Sequence, residues 1–435
     1  MSNPFVVAIG RLTRLAARLR GGGSALPGLV VERLSPRFMA DTLAQLPQGV
    51  LLVSGTNGKT TTTRIITQVL EAQGLKVFTN PTGSNFTRGV VAALLGEVDW
   101  RGELHADIAV LELDEAHAVH FVEQVRPRVS VLLNVLRDQL DRFGEIDTTA
   151  ELLGTVARAT TETVVLNRED PRVRAIAETL PESTDVRYFG FAEGLSQLFP
   201  DDESLHDGHE SRDVHVSSAL ARHTPHADVR LDVVDGQQVA YEIDDTSYPV
   251  TLQLSGAHNA LNAAAALAGV RALASAEHPI DTGELIDALG TVTAAFGRGE
   301  VLKVWGRPVR ITLVKNPSGF RSSLRSAEPR ECVLIAINDA YADGRDLSWL
   351  WDVDFSALRK RGVSAVSGVR AAEMALRLRY DLVDVDTVEP DFAKALAHVL
   401  NDNPGLPVRI FATYTAMLRL RRELGQYTTV TRMGE

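Results

Sequence analysis

The chain has 435 residues, 45% of them hydrophobic and 23% charged, which at roughly 100–200 residues per domain predicts two to four domains, each with its own core. With 45 Lys+Arg against 56 Asp+Glu the formal net charge is −11; this argues against bulk nucleic-acid binding, which needs a basic face. No run of about 18 apolar residues occurs, which excludes a membrane-spanning helix. The single cysteine, Cys332, can make neither an internal disulfide nor a cysteine-based metal cluster, as fits a reducing compartment. Lysine is scarce, and none occurs between Lys76 and Lys303, so any chemistry in that stretch does without an amine.

From Phe5 to Leu19, Val6, Ile9, Leu12, Leu15 and Leu19 recur at helical spacing among Arg11, Arg14, Arg18 and Arg20. The charges do not precede a continuous apolar core, so this is no signal peptide. Such a helix packs on its own domain or lies on an anionic membrane surface. Gly21-Gly22-Gly23-Ser24 and Pro27-Gly28 read as a linker, closing an N-terminal segment 1–48.

A regular alternation follows. Val50–Ser54 suits a buried parallel strand, and Thr60–Gln73 is helical in pattern and stops at Gly74. Lys76–Thr79, Ile108–Leu113, Val129–Leu133 and Thr163–Leu166 are further strands, with helical stretches such as Ala150–Ala159 between them. Strand and helix in alternation predict an α/β fold with a parallel sheet. Residues 195–230 break the pattern as a polar insertion holding His206, His209, His215, His223 and His226, whose spacing matches no standard metal site. Arg230–Val234 and Gln238–Ile243 predict a hairpin, and Ala257–Ala274 a helix of small residues. The segment Thr291–Gly299 lacks periodicity and marks a boundary, giving a central domain at 49–295 and a smaller α/β domain at 296–435. In the latter, Val309–Val314, Cys332–Ile337 and Val408–Thr413 predict strands, and Ala371–Arg379 and Thr415–Leu424 helices.

The sharpest motif is Gly55-Thr56-Asn57-Gly58-Lys59-Thr60-Thr61, between a predicted strand and a predicted helix. Such a loop turns backbone N–H groups toward phosphate oxygens, and the helix start adds about half a positive charge. Lys59 would reach the β/γ-phosphates and Thr60 would ligate Mg²⁺. The usual loop has a glycine where this chain has Val53, so the loop is a shortened variant. Glu112, Asp114 and Glu115 cap the strand Ile108–Leu113 at its C-terminal end, where ligands bind in parallel sheets, and either meet Mg²⁺ or solvate a loop. Glu112 interrupts an apolar run and would be costly there without a partner. The next strand end carries Asn134, Asp138 and Asp141.

Together these motifs resemble the Mur ligase superfamily, the ATP-dependent amide-forming enzymes of peptidoglycan synthesis. The shortened loop is that family's form. Asn80-Pro-Thr-Gly-Ser-Asn85, the Asn134…Asp138…Asp141 run, Gly256-Ala-His258-Asn259-Ala-Leu-Asn262 and Gly297-Arg298-Gly-Glu300 follow in the family's order. Arg137–Gly144, Lys315-Asn316-Pro-Ser-Gly-Phe320 and the stretch from Asn338 through Asp346, Trp349, Trp351 and Asp352 to Phe355 resemble one branch, whose members amidate lipid II together with a GatD-like class I glutaminase subunit. The resemblance implies a Mur ligase-like central P-loop ATPase domain with a parallel sheet, plus a smaller Rossmann-like α/β C-terminal domain. It implies a cytoplasmic bacterial protein acting at the inner face of the membrane. It assigns Gly55–Thr61, Asn134, His258, Asn259, Asn262, Lys315 and Asn316 to ATP, and Thr60, Glu112 and Glu115 to Mg²⁺. Arg298 would reach the transferring phosphoryl group, and Asp346 or Asp352 would complete the partner's Cys–His pair. His258 and Asn259 could instead simply cap the Ala-rich helix.

The departures from the family are coherent. The lysine-free stretch removes the carbamylated lysine that most members use, and Gln139 replaces a histidine, so a second Mg²⁺ site is absent or rebuilt. Thr312 stands where an Asp usually meets the ribose. The branch's four-cysteine zinc ribbon is missing, so zinc is not expected. The reading that follows is ATP-dependent amidation of the α-carboxyl of D-glutamate in the lipid II stem peptide. The alternatives are a stand-alone amino-acid ligase and a non-catalytic ATP-binding scaffold.

Overall fold

The computed structural model describes residues 4–19, 25–80, 86–136, 146–199, 224–275, 279–293, 298–325, 330–402 and 404–430. They fall into two compact units, the first running to Thr293 apart from Leu136, the second holding Leu136 and everything from Arg298 onward.

The first unit opens with three helices, α1 (Pro4–Leu19), α2 (Ala25–Leu34) and α3 (Phe38–Leu43). The alternation then begins: β1 (Val50–Ser54), α4 (Lys59–Ala72), β2 (Val77–Thr79), α5 (Thr87–Glu97), β3 (Ile108–Glu112), α6 (Glu115–Val122) and β4 (Val129–Leu132). It continues through α7 (Ile146–Ala159), β5 (Thr163–Asn167), α8 (Pro171–Ala175), β6 (Asp185–Phe191), β7 (Val229–Asp235), β8 (Gln238–Ile243) and β9 (Thr246–Thr251), and ends with α9 (Ala257–Arg271) and α10 (Thr282–Thr291). The strands form one sheet in the order β2-β3-β1-β4-β5-β6-β7-β8-β9. It is parallel from β2 to β7, and the hairpin strands β8 and β9 continue it antiparallel. Every residue of β1, β3, β4 and β5 is buried, as strands covered by helices on both faces require. The chain leaves β1 for β2 and β3 on one side, then crosses to β4 on the other. The sheet's order therefore reverses around β1, and ligand crevices in parallel sheets lie outside the strand ends at such a point.

The second unit has β10 (Arg298–Val304), β11 (Arg307–Leu313), α11 (Pro317–Arg325), β12 (Cys332–Ala336), β13 (Val363–Ser367), α12 (Ala371–Tyr380), β14 (Val385–Val388), α13 (Phe392–Asp402), β15 (Val408–Ala412) and α14 (Tyr414–Leu424). Its sheet order is β10-β11-β15-β12-β13-β14, parallel except for the β10–β11 hairpin. Arg409 of β15 and Glu331 form a two-pronged buried ion pair at 3.0 and 3.1 Å. Removing one partner of such a pair costs about 3–5 kcal/mol. Cys332 is buried in β12, and that burial pushes its thiol above the ordinary range.

The strand and helix expectations hold to within a few residues at each end. The linker does not hold: Pro27 and Gly28 lie inside α2. Proline is tolerated in a helix's first turn, where its missing N–H would have had no intrahelical acceptor. Gly28 is there for close approach, since a Cβ on it would sit 2.2 Å from the carbonyl oxygen of Arg88 in α5. Of the polar insertion, residues 200–223 lie outside the described residues, as do Asp138, Gln139 and Asp141; β7 takes up its last two residues, Val229 and Arg230. The predicted stop of the first crossover helix is a Schellman turn. Gly74 adopts φ +85°, its N–H meets the Glu71 carbonyl at 2.9 Å, and the Leu75 N–H meets that of Leu70 at 3.2 Å.

Gly28→Ala should therefore destabilise the first unit by about 1–3 kcal/mol, the range for overpacking a tight contact, read as a lower denaturant midpoint at unchanged slope.

Candidate active site

The loop after β1 is built on two left-handed glycines, Gly55 at φ +128° and Gly58 at φ +91°, a backbone region that L-residues avoid. Both are also packed against neighbours. A Cβ on Gly55 would lie 3.0 Å from the Asn134 nitrogen, and one on Gly58 would lie 2.3 Å from the Asn262 side-chain oxygen. Val53 is still in β1 and fully buried, which is why the loop is short: the strand occupies the place where other loops have already turned.

Asn134, just past β4, holds this loop in shape. Its carbonyl accepts the Thr56 N–H at 2.9 Å. Its side-chain oxygen accepts the Asn57 N–H at 2.8 Å, and its amide donates to the Asn57 carbonyl at 3.0 Å. At about 1 kcal/mol net per hydrogen bond, this clamp fixes the loop before anything binds. The first N–H groups of α4, from Lys59 onward, have no acceptor within the helix. Asp170 pins the next residue, accepting the Val135 N–H at 2.7 Å while its other oxygen caps α8 through Arg172 and Val173. Burial raises the Asp170 carboxyl above its ordinary value, partly offset by these N–H groups.

Lys59 is buried, its ammonium donating to the carbonyls of Gly55 at 2.5 Å and Thr56 at 3.3 Å. Asp114 stands 3.1 Å from it and Glu115 3.6 Å. Glu112 has the partner that its place in an apolar run demands. The buried Thr60 hydroxyl donates to its carboxylate at 2.8 Å, and Asn80 brackets its backbone with two hydrogen bonds of 2.9 Å. The structure thus brings together Gly55, Thr56, Asn57, Gly58, Lys59, Thr60, Glu112, Glu115, Asn134 and Asn262, with Thr61 buried in the first turn of α4. It adds Asp114 and Asn80, both already prominent in sequence. The hydroxyl–carboxylate pair beside a buried ammonium is an oxygen-rich donor set that suits a hard divalent cation next to phosphate.

Around α9, the exposed His258 ring meets Phe199 edge-on at 5.5 Å, and Phe199 stacks on Phe191 at 4.5 Å. Asn259 bonds back to the Ser255 carbonyl at 2.9 Å, as a helix-start residue does.

In the second unit, Arg298 begins β10 with its backbone paired to Thr312 of β11, and the register shifts between Arg298 and Glu300. Lys315 and Asn316 follow β11. Asn316 is fully buried and accepts the Gly319 N–H at 2.8 Å, which caps α11. The loop after β12 is rooted in a buried network: Asn338 bonds Thr413 and Thr415, and the Asp343 carboxylate accepts the Thr415 N–H at 2.6 Å and its hydroxyl at 2.5 Å. Asp346 uses both oxygens on Ser348, at 2.8 and 2.9 Å. The two tryptophans part company. Trp349 is buried against Phe320 and belongs to the core, whereas Trp351 is exposed and packs edge-on against Tyr380 at 5.2 Å. A tight one-turn helix, Ser348–Asp352, turns them to different faces. Arg377 of α12, undistinguished in the sequence, rivets this turn. It donates to the carbonyls of Leu350 and Val353, pairs with Asp381 at 2.8 Å and lies over the Trp351 ring at 5.4 Å.

Comparison with known proteins agrees with this geometry. The family model of the Mur ligase middle domain matches residues 53–270, and that of the MurT ligase C-terminal domain matches residues 313–417. A Streptococcus pneumoniae protein named lipid II isoglutaminyl synthase (glutamine-hydrolyzing) subunit MurT is 30% identical, over 95% of both chains. A Staphylococcus aureus protein of the same name is 30% identical over 97% of both. The crystal structure of MurF ligase from Thermotoga maritima in complex with ADP superposes with a TM-score of 0.63 at 20% identity, over 89% of this chain and 81% of that one, which shows a shared fold. A phosphate-type loop clamped by Asn134, followed in the chain by a MurT C-terminal match over residues 313–417, and 30% identity to a MurT subunit over 95% of both chains identify the chain as a member of the MurT family of Mur ligases.

Proposed function

We propose that this chain is the synthetase subunit of a lipid II isoglutaminyl synthase. It spends ATP to convert the α-carboxyl of D-glutamate in the lipid II stem peptide into the amide of D-isoglutamine, with ammonia from a GatD-like glutaminase. The observation that carries this reading is the Thr60–Glu112 contact, at 2.8 Å beside the buried Lys59 ammonium, at the start of α4. The names of the two relatives support the substrate and the partner.

A carboxylate cannot expel oxide, so it is first phosphorylated, and ammonia then attacks the acyl carbon as phosphate leaves and a proton is lost. The protein's part is positioning and electrostatics. The N–H groups at the start of α4 and the Lys59 ammonium hold the nucleotide's phosphates, and the clamped loop avoids reordering on binding. Mg²⁺, held by Thr60 and Glu112 with Glu115 nearby, would neutralise phosphate charge. Asn262 lines the loop at Gly58, and His258 with Phe199 offers aromatic surface suited to the base.

Ammonia is mostly protonated at neutral pH, which favours a partner that releases it in place. The exposed pair Trp351–Tyr380, with Leu376 and Leu382 nearby in the sequence and also exposed, supports a docking face on the second unit. Asp352 directly follows Trp351 there. That place, directly after the exposed Trp351, makes Asp352 the better candidate of the two to orient the partner's catalytic histidine.

The co-expressed complex tests this with purified lipid II. Lys59→Ala should lower the amidation rate by about 10²–10³-fold, the loss typical of a group that stabilises transition-state charge; wild-type turnover would sink the ATP role. Asn134→Ala should weaken nucleotide binding about tenfold in calorimetry, as expected for losing one or two hydrogen bonds, with the fold intact by circular dichroism. Asp352→Asn should abolish glutamine hydrolysis yet keep amidation from added ammonium, whereas Asp346→Asn should hydrolyse glutamine near the wild-type rate.

A further inference from the structure

The two N-terminal helices carry apolar residues on their outer faces as well as their inner ones. α1 buries Val6, Val7 and Gly10 against its neighbours: a Cβ on Gly10 would lie 2.7 Å from side chains of both Val31 in α2 and Leu95 in α5. On its other side Phe5, Leu12 and Leu15 are more than half exposed, with Ala8 and Ile9 partly so. A helix packed on a water-soluble domain normally turns polar residues outward. α2 repeats the arrangement, with Leu26 and Leu34 exposed and Leu29 and Val30 half-buried.

The charge on α1 itself has one sign. α1 contains Arg11, Arg14 and Arg18 and no acid, in a chain of net charge −11. Beside it stands Trp100, 67% exposed, with the Arg11 guanidinium 4.5 Å over its ring. Arg11 also donates to the Leu95 and Val98 carbonyls, tying α1 to the end of α5. Two acids near this surface are engaged: Glu32 by Arg88 at 3.0 Å, and Asp99 by the N–H groups of Arg101 and Glu103 in its own turn. An apolar face flanked by arginines, with a half-wet indole at its edge, matches the boundary between lipid headgroups and acyl chains.

We infer that α1, α2 and Trp100 form a docking surface for an anionic lipid bilayer, with α1 lying in the plane of the headgroups. The inference deepens the proposed function, for it would bring the enzyme to a lipid-linked substrate, but the binding itself needs no turnover.

The test is flotation of the full chain with vesicles of phosphatidylglycerol and phosphatidylethanolamine, against vesicles of phosphatidylcholine alone. The chain should float with the anionic vesicles, far less with the neutral ones, and binding should weaken as salt rises. The exposed double variant Leu12→Glu/Leu15→Glu should bind about tenfold or more weakly, yet take up nucleotide like the wild type. Brominated lipids should quench fluorescence in the wild type and much less in Trp100→Phe. Absence of flotation by the wild type, or unchanged flotation by the double variant, would overturn the inference. So would a concentration-dependent dimer that the same substitutions dissolve, since that assigns the surface to a second copy. Intact nucleotide binding without flotation leaves the functional reading standing; flotation without amidation does the reverse.

Discussion

The grip of Asn134 on the loop after β1 is the constraint from which the first unit's chemistry follows. A loop that must present several N–H groups to one polyanion would otherwise lose conformational freedom on binding. Here one side chain and its own carbonyl hold the first half of the loop, at Thr56 and Asn57, just ahead of the helix start at Lys59. Gly55 and Gly58 make this geometry affordable to the backbone, and each is pressed against an asparagine from another element. The same sheet edge brings Glu112 from β3 to the Thr60 hydroxyl, so three neighbouring strand ends converge on one place.

Much of this was legible in the amino-acid order because each feature has a local physical signature. A short apolar run such as Val50–Val53, closed by a serine and a glycine, fits a covered strand. Two glycines just ahead of a lysine, at Gly55 and Gly58, point to a turn that needs special backbone. A glutamate in the middle of apolar residues announces a partner, and the partner is Thr60. The illegible parts depend on contacts between distant segments. Gly28 reads as a breaker and serves as a contact point for Arg88 in α5. β6 escapes notice because half of it is only partly covered, so its pattern matches neither a buried nor an alternating strand. Arg377 looks like one of many surface arginines and is instead buried under Trp351.

The second unit follows another principle. Its long loop after β12 holds only short 3₁₀ turns, yet it is tied at its root by Asp343 and Thr415 and near its tip by Arg377. The tryptophans illustrate the limits of composition: two such residues in an acidic stretch suggest a contact surface, but one of them is spent on the core. What remains outside is a small aromatic island on a firmly held turn, the arrangement in which an anchor residue loses little freedom on meeting a partner.

Cys332 lends itself to a use outside the protein's chemistry. It is the only thiol among 435 residues, it lies in a fully covered strand of the second unit, and it is harder to ionise than usual. An alkylating dye therefore meets a silent surface while the second sheet is closed, and labels the chain only when that sheet opens. The chain carries its own stopwatch for the breathing of one half, to which the other half contributes no background.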